Sequence, residues 1–431
     1  MRSVGIAGGG LAGLSCAVAL ARRGVRVTLF EQRRRLGGRA TSFVDQQSGE
    51  TIDNCQHVAL GCCHRYLAFL AALGKSDQIA WHDRQWWVEA GGRVSVLEPM
   101  RLAPVLPGFA SHAASFLRSR FLSGVDKVMI AAAMGQIAIC DRDAFRDVTF
   151  GAWLRQQQQS EDAIARFWAP VIVSACNGEV DRVAASSAMH VFQDGLLSGA
   201  TASRIGIPTV PLVALYDAAE QLLSEAGGEV RMGEGVEELE PKRIATREGD
   251  YRFDAVVCAT PFEKARKWLP SSDPRSPQLA RAEHSPILGV HVTFDRPVLN
   301  TPHAVLVCCS TQWLFRKDDA GCVVHAVISA ADAWMDLPES AIIDRVATDV
   351  RTWLPHAADA RVVRARSVKE RFATFVPTPA FEQARPQPLP DGARGGDAIV
   401  LAGDYTATDW PATMEGAVRS GEAAARAILR G

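Results

Sequence analysis

The chain has almost no net charge: 47 basic side chains are set against 48 acidic ones, a formal −1 at neutral pH. So even a balance gives no global field to draw in nucleic acid, and no basic low-complexity tail compensates. CxxC pairs are also missing. The ten cysteines are scattered, adjacent only at Cys62-Cys63 and Cys308-Cys309, so neither a zinc site nor a small disulfide framework is expected. Cys16 and Cys258 have apolar neighbours and read as small core residues, which suits a reducing cytoplasm. No apolar run reaches the roughly 20 residues that span a bilayer. The longest, residues 128–140, is interrupted by Gly135 and Gln136. Residues 11–21 have the length of a secretory h-region, but they carry a glycine fingerprint, and Arg22-Arg23 lie on the wrong side for a signal peptide. No internal repeat is present. With 48% hydrophobic and 22% charged residues, the 431-residue chain reads as globular and long enough for two domains.

What the chain does have is concentrated at its ends. Residues 4–7 predict a strand running into Gly8-Gly9-Gly10-Leu11-Ala12-Gly13, a helix over 11–21, a strand over 25–30, and Glu31. Gly8 permits the tight turn, Gly10 lets backbone approach a pyrophosphate, and Gly13 lets the helix pack closely on the sheet. Phosphates suit the helix N-terminus, where N–H groups are free and the dipole favours anions. Glu31, roughly twenty residues past the last glycine, can accept hydrogen bonds from a ribose diol. A second cluster, Gln32-Arg33-Arg34-Arg35-Leu36-Gly37-Gly38-Arg39, extends the clamp. A dinucleotide that runs past its pyrophosphate to a buried ring needs such a loop and its arginine. Near the other end, residues 400–404 read as a buried strand ending in a carboxylate, followed by Pro411-Ala412-Thr413-Met414-Glu415-Gly416-Ala417 and a helix over 418–429.

The Gly-Gly-Arg ending resembles that of the FAD-dependent amine oxidase and phytoene desaturase superfamily. The stretches 39–43, 52–61, 403–406 and 411–421, with Phe167-Trp168-Ala169-Pro170, Ala175-Cys176-Asn177-Gly178 and Val257-Cys258-Ala259-Thr260-Pro261, narrow the resemblance to the hydroxysqualene dehydroxylase family. That resemblance implies an α/β, two-domain flavoprotein. A Rossmann-like FAD-binding domain would comprise residues 1–75, 205–285 and 385–431, and an inserted mixed-sheet and helical substrate domain residues 76–204 and 286–384. It implies FAD held non-covalently, since Asp404 and not cysteine precedes Tyr405. The residues implied to hold it are Gly8, Gly10, Leu11, Ala12, Gly13, Glu31, Gln32, Arg33, Gly38, Arg39, Gln56, His57, Val236, Gly403, Asp404, Met414 and Ala417, with no metal. Cys55 departs from the family, which has glycine there; if the position needs φ > 0 or close approach to the flavin, cysteine strains it or crowds the ring.

Between the two ends, a helix is expected over 211–226, strands over 229–232 and 254–259, and a hairpin of strands 79–88 and 94–97 around Gly91-Gly92. Strands over 289–294 and 322–328 would floor a pocket, and proline-rich 377–390 would return the chain to the cofactor domain. The implied substrate is hydroxysqualene, a long-chain isoprenoid, reduced at its allylic carbon by hydride from flavin N5, with an external reductant supplying the electrons. Each buried methylene contributes about 0.8 kcal/mol, so a triterpene needs apolar walls, for which residues 102–109, 116–122 and 128–139 are candidates. Arg118 and Arg120 beside Phe116, Leu117, Phe121 and Leu122 suit a membrane-facing entrance, or else an amphipathic helix packed on its own domain. The expected location is cytoplasmic, peripheral on the inner face of the membrane. Trp168, Phe192 and Trp410 are candidates to face developing positive charge. His57 and Asp53 are candidates for the acid that protonates the departing oxygen; alternatively, His57 is a structural hydrogen-bonding residue and Asp53 caps a turn. Competing functions are an oxidative isoprenoid desaturase, an amine oxidase with Tyr405 as one aromatic wall, and an isoprenoid escort protein without redox chemistry.

Overall fold

A computed structural model describes residues 3–46, 48–100 and 110–430. Five parallel strands form one sheet, in the order Glu229–Met232, Arg26–Glu31, Ser3–Ala7, Ala255–Cys258, Val400–Leu401. The four strands from Arg26–Glu31 to Val400–Leu401 are short and mostly buried because parallel sheets are covered on both faces, while the edge strand Glu229–Met232 is half polar and partly exposed. The helix Leu11–Ala21 follows the first strand and packs against the final helix, Met414–Leu429. Glycine makes that crossing possible: a Cβ on Gly421 would lie 2.0 Å from Ser15 Oγ and 2.1 Å from the Ala12 carbonyl oxygen. The chain termini and a central segment thus build one layer together.

A second sheet has seven strands in the order Val362–Phe375, His284–Phe294, Val323–Ser329, Trp313–Arg316, His303–Leu306, Gln85–Val88, Val94–Leu97. It is antiparallel except where His303–Leu306 runs parallel to Gln85–Val88. Helices over Ala113–Arg118, Gly124–Ile139, Phe150–Gln156, Ala169–Cys176 and Ala185–His190 cover its far end. Their core is aromatic: Trp87 stacks on Phe121 at 5.0 Å, and Phe150, Phe167, Trp168 and Phe192 interlock edge-on and face-on. Two turns widen to π-helical spacing, Ile164–Trp168 and Val191–Leu196.

Several expected elements change at their edges. The strand expected over 79–88 is two strands in different sheets: Ile79–His82 pairs with Ile205–Pro208, while Gln85–Val88 joins the large sheet. Alternating apolar residues cannot reveal that Asp83-Arg84 hand the chain from one sheet to the other. The hairpin itself forms, with Gly91 and Gly92 both at positive φ. The helix expected over 211–226 breaks into a 3-10 turn, Leu212–Leu215, and a helix, Ala218–Glu225. The last helix starts at Met414, four residues earlier than its apolar periodicity suggests, because Thr413 Oγ1 caps Gly416 N at 3.1 Å. Residues 102–109, expected to offer apolar surface, lie outside the described residues.

Candidate functional site

The two glycine clusters meet. Gly37 N donates to the Gly9 carbonyl at 2.9 Å, Gly10 and Gly37 form a bridge, and a Cβ on Gly38 would lie 2.9 Å from Gly10 Cα. Gly8, at φ +111°, turns the chain out of the strand, and Gly13 lets the helix sit on that turn: a Cβ there would be 1.9 Å from the Gly8 carbonyl oxygen. Glu31, at the end of its strand, accepts from Gly9 N and Arg33 N, both at 2.8 Å, and ties the turn to the following loop. The helix start at Gly10 has no side-chain cap and no acid in its first turn, so its N–H groups face the cavity beside Leu11 and Ala12. Arg39 Nη2 meets Asp404 Oδ1 at 2.7 Å, and its Nη1 donates to the Ala373 carbonyl at 2.9 Å. Burial lowers the Arg39 pKa, but the Asp404 carboxylate outweighs it and holds the guanidinium charged.

These groups line one wall of a cavity of about 510 Å3. Of the residues expected to hold the cofactor, Gly8, Gly10, Leu11, Ala12, Glu31, Gln32, Arg33, Gly38, Arg39, Gln56, His57, Val236, Gly403, Asp404, Met414 and Ala417 all line it. Gly13 does not, because its place is the helix–strand contact beneath. The cavity continues into a chamber walled by Trp87, Leu97, Phe167, Val171, Phe192, Ile287, Trp313, Phe315 and Val327. Those side chains come from the large sheet and from the helices over it. Alternation along the strands puts Ile287 and Val327 on the face that looks back to the glycine loops.

The acid candidates fare differently. Asp53 does not line the cavity; its Oδ1 accepts from Ser42 Oγ at 2.7 Å and Leu212 N at 3.0 Å, and Lys317 Nζ lies 3.6 Å from Oδ2. Its carboxylate is occupied in fastening the loop, which corrects its expected place at the reacting atoms. His57 does line the cavity, with Nδ1 3.1 Å from the Cys55 carbonyl. Nδ1 must carry the proton to make that bond, and burial lowers the ring's pKa, so neutral His57 offers a lone pair at Nε2. Cys55 is not among the positive-φ residues and packs with Ile205, Ile207, Phe315 and Val327, so cysteine is accommodated without backbone strain. Burial pushes its thiol up to about 12 and keeps it neutral. Of the aromatic candidates, Phe192 and Trp410 reach the cavity. Trp168 does not; its indole donates to Gln159 inside the helical core, and Phe167 takes the lining position.

Residues 11–429 match the family described as flavin-containing amine oxidoreductase. The chain belongs to this family. Among curated proteins it is 28% identical to a hydroxysqualene dehydroxylase from Sinorhizobium fredii, over 99% of this chain and 98% of that one. It is 24% identical to a 15-cis-phytoene desaturase from Solanum lycopersicum, over 99% and 77%. Among solved structures, a putrescine oxidase bound to putrescine superposes with a TM-score of 0.74 at 14% identity, covering 100% and 99% of the two chains, a likeness of fold.

As a flavin-containing oxidoreductase the protein is an enzyme, and the cavity's donor set fits such a group. Uncapped backbone N–H groups and Arg39 make an anion-accepting corner at one end, and the chamber beside it is apolar. Sequence reading missed Arg385, which is buried and donates to the Trp410 carbonyl at 2.7 Å and to the Asp404 carbonyl. It holds the loop from Asp404 to Trp410 in place. Only its position in the proline-rich return segment hinted at it, and no spacing rule identifies a buried arginine from sequence.

Proposed function

We propose that the protein binds FAD non-covalently and reductively dehydroxylates hydroxysqualene to squalene. The observation that carries this reading is the continuity of the nucleotide-type cradle with a chamber walled by aliphatic and aromatic side chains. Full-length similarity to a protein named hydroxysqualene dehydroxylase supports it. On this reading residues 1–75, 205–285 and 385–431 form the cofactor domain, and 76–204 and 286–384 the substrate domain.

When bound, reduced FAD supplies a hydride. The chain's residues do the rest. Glu31 receives the ribose, the Leu11–Ala21 helix start and Arg39 receive phosphates, and Asp404 keeps Arg39 in place. Trp313, Phe315, Ile287 and Val327 exclude water, so charge that develops on the allylic carbon is not quenched by solvent. Phe167 and Phe192, which line the chamber, are its proposed means of stabilising that charge, whereas the Trp410 ring already carries the Arg419 guanidinium over it. The departing oxygen leaves as water after taking one proton, for which His57 in its imidazolium form is the proposed donor.

Peripheral membrane contact follows from the substrate's insolubility and from one exposed surface. Phe121 and Leu122, expected at a membrane entrance, are buried, and Phe116 packs edge-on against Phe167. Leu117 remains exposed beside Arg118 and Arg120, and the Gly124–Ile139 helix adds exposed Val125, Val128 and Ile139. Among the described residues no helix is long and apolar enough to cross a membrane.

The test is anaerobic. The enzyme is reduced, hydroxysqualene is added, and flavin absorbance is followed while the lipid is identified by mass spectrometry. Reoxidation with stoichiometric squalene is expected. Flavin that stays reduced over unchanged lipid overturns the reading and turns attention to oxidative desaturation of a related polyene.

A further inference from the structure

One buried polar group in the chamber has no part in the cofactor cradle or in the chemistry above. His190 ends the Ala185–His190 helix where the chain widens into the π-helical turn Val191–Leu196. Such turns re-aim side chains and occur often at functional sites. His190 lines the cavity and is 3% exposed, and among the described residues neither of its ring nitrogens has a hydrogen-bond partner. A buried polar atom without a partner is uncommon enough to require a reason.

Its surroundings fix its chemical state. Asp194 Oδ2 lies 3.0 Å from Nδ1, off the line of a good hydrogen bond, and Arg142 Nη1 holds the same carboxylate at 3.0 Å. A negative charge beside Nδ1 favours the proton there and leaves Nε2 as an acceptor. Burial, followed by the positive charges of Arg142, Arg419 and Arg385, pushes the imidazole down to about 3, so it is neutral under working conditions. Trp410 meets the ring edge-on, with centroids 4.5 Å apart, and Arg419 lies over that indole at 4.6 Å. Val191, Phe192 and Leu196 continue the wall with apolar groups. The chamber wall therefore holds a second imidazole acceptor besides His57 Nε2, set among apolar groups and beside Trp410.

We propose that His190 recognises the substrate's hydroxyl group: Nε2 accepts a hydrogen bond from the alcohol, and Asp194 is the positioning residue that holds the ring in the accepting tautomer. The inference rests on the dehydroxylase reading and deepens it. An alcohol satisfies the orphan nitrogen and a hydrocarbon cannot, so the same residue selects substrate over product and favours release of squalene once the carbon–oxygen bond is broken. A site built to pair with a hydroxyl penalises the analogue that lacks it, because its own polar group is left unpaired.

The FAD-loaded, oxidised full-length enzyme cannot reduce its substrate, so it reports binding alone. Affinities for hydroxysqualene and squalene are compared by flavin fluorescence in wild type, His190→Phe, His190→Gln and Asp194→Asn. Wild type is expected to prefer the alcohol by about tenfold or more. His190→Phe keeps the ring contact with Trp410 and should lose the preference while squalene affinity and flavin content stay unchanged. His190→Gln, which retains an acceptor, should recover part of it, and Asp194→Asn should fall between. In reduced enzyme, kcat/KM for His190→Phe should drop at least about tenfold. An unchanged alcohol preference in His190→Phe overturns the proposal; if that variant loses its flavin, unchanged preference in both His190→Gln and Asp194→Asn overturns it. A wild type that prefers the alcohol but makes no squalene under anaerobic reduction sinks the dehydroxylase reading and leaves hydroxyl recognition standing.

Discussion

Two histidines face this cavity, and each one's environment decides what it can do. His57 gives its Nδ1–H to the Cys55 carbonyl, and burial keeps its pKa below the ordinary imidazole value. A donor with a depressed pKa works only in the fraction of molecules that are protonated, and that fraction grows as pH falls. Turnover limited by protonation of the leaving oxygen should therefore rise between about pH 7 and about pH 5, and His57→Gln should remove the rise and cost about a hundredfold in kcat. A flat profile shared by both proteins would assign the proton to another group. Asp53 illustrates the limit of reading residues from sequence. Its place in a segment that the family resemblance puts near the flavin suggested chemistry, while its carboxylate accepts from Ser42 Oγ and Leu212 N. A motif shows that a carboxylate is required without showing which way it turns, since two of its partners, Leu212 and Lys317, lie more than a hundred residues away along the chain.

At the scale of elements, periodicity located the strands and helices well and their neighbours poorly. The glycine turn, its strand and its helix were legible because one local spacing specifies all three. The assignment of residues 79–88 to two sheets was not, because either pairing buries the same alternating side chains. The helix Gly124–Ile139 carries the clearest functional consequence. It buries Ile130, Ala133 and Ile137, yet leaves Val125 73%, Val128 67% and Ile139 88% exposed, so apolar surface lies on both of its faces. A helix with apolar residues facing outward beside Arg118 and Arg120 suits an anionic lipid surface. The protein should sediment with vesicles of anionic phospholipid, and Val125→Glu with Val128→Glu should release it and raise KM for a membrane-dissolved substrate without lowering flavin content. Equal sedimentation of the double variant would remove this helix from any docking surface.

On the scale of the whole molecule, the fold was readable because its cofactor motifs sit at the chain ends and must converge on one parallel sheet, as they do. The chamber's interior was not readable, since its walls come from five strands of the large sheet and several helices whose packing no short pattern encodes. That packing has an energetic consequence through buried histidine. Burial comes first among the causes that push down His190 and His303, each to about 3, and lower His325, His291 and His57. In the unfolded chain each returns to about 6.5, so between that value and the depressed one the unfolded state binds more protons. Stability is then fully present above about pH 6.5 and is lost as pH falls, by up to about 1.4 kcal/mol per pH unit for each such histidine. His303 isolates the effect: it is fully buried among Trp86, Trp313 and Phe315, and neither ring nitrogen has a partner among the described residues. His303→Phe removes two orphaned polar atoms and one titration, and places a larger ring in a fully buried site. Urea midpoints measured between about pH 7.5 and about pH 5 should fall steeply for wild type and less steeply for His303→Phe, whatever the offset between the two proteins at the upper end. Parallel slopes in the two proteins would show that this imidazole is protonated within the fold, and that the large sheet opens more readily than its packing implies.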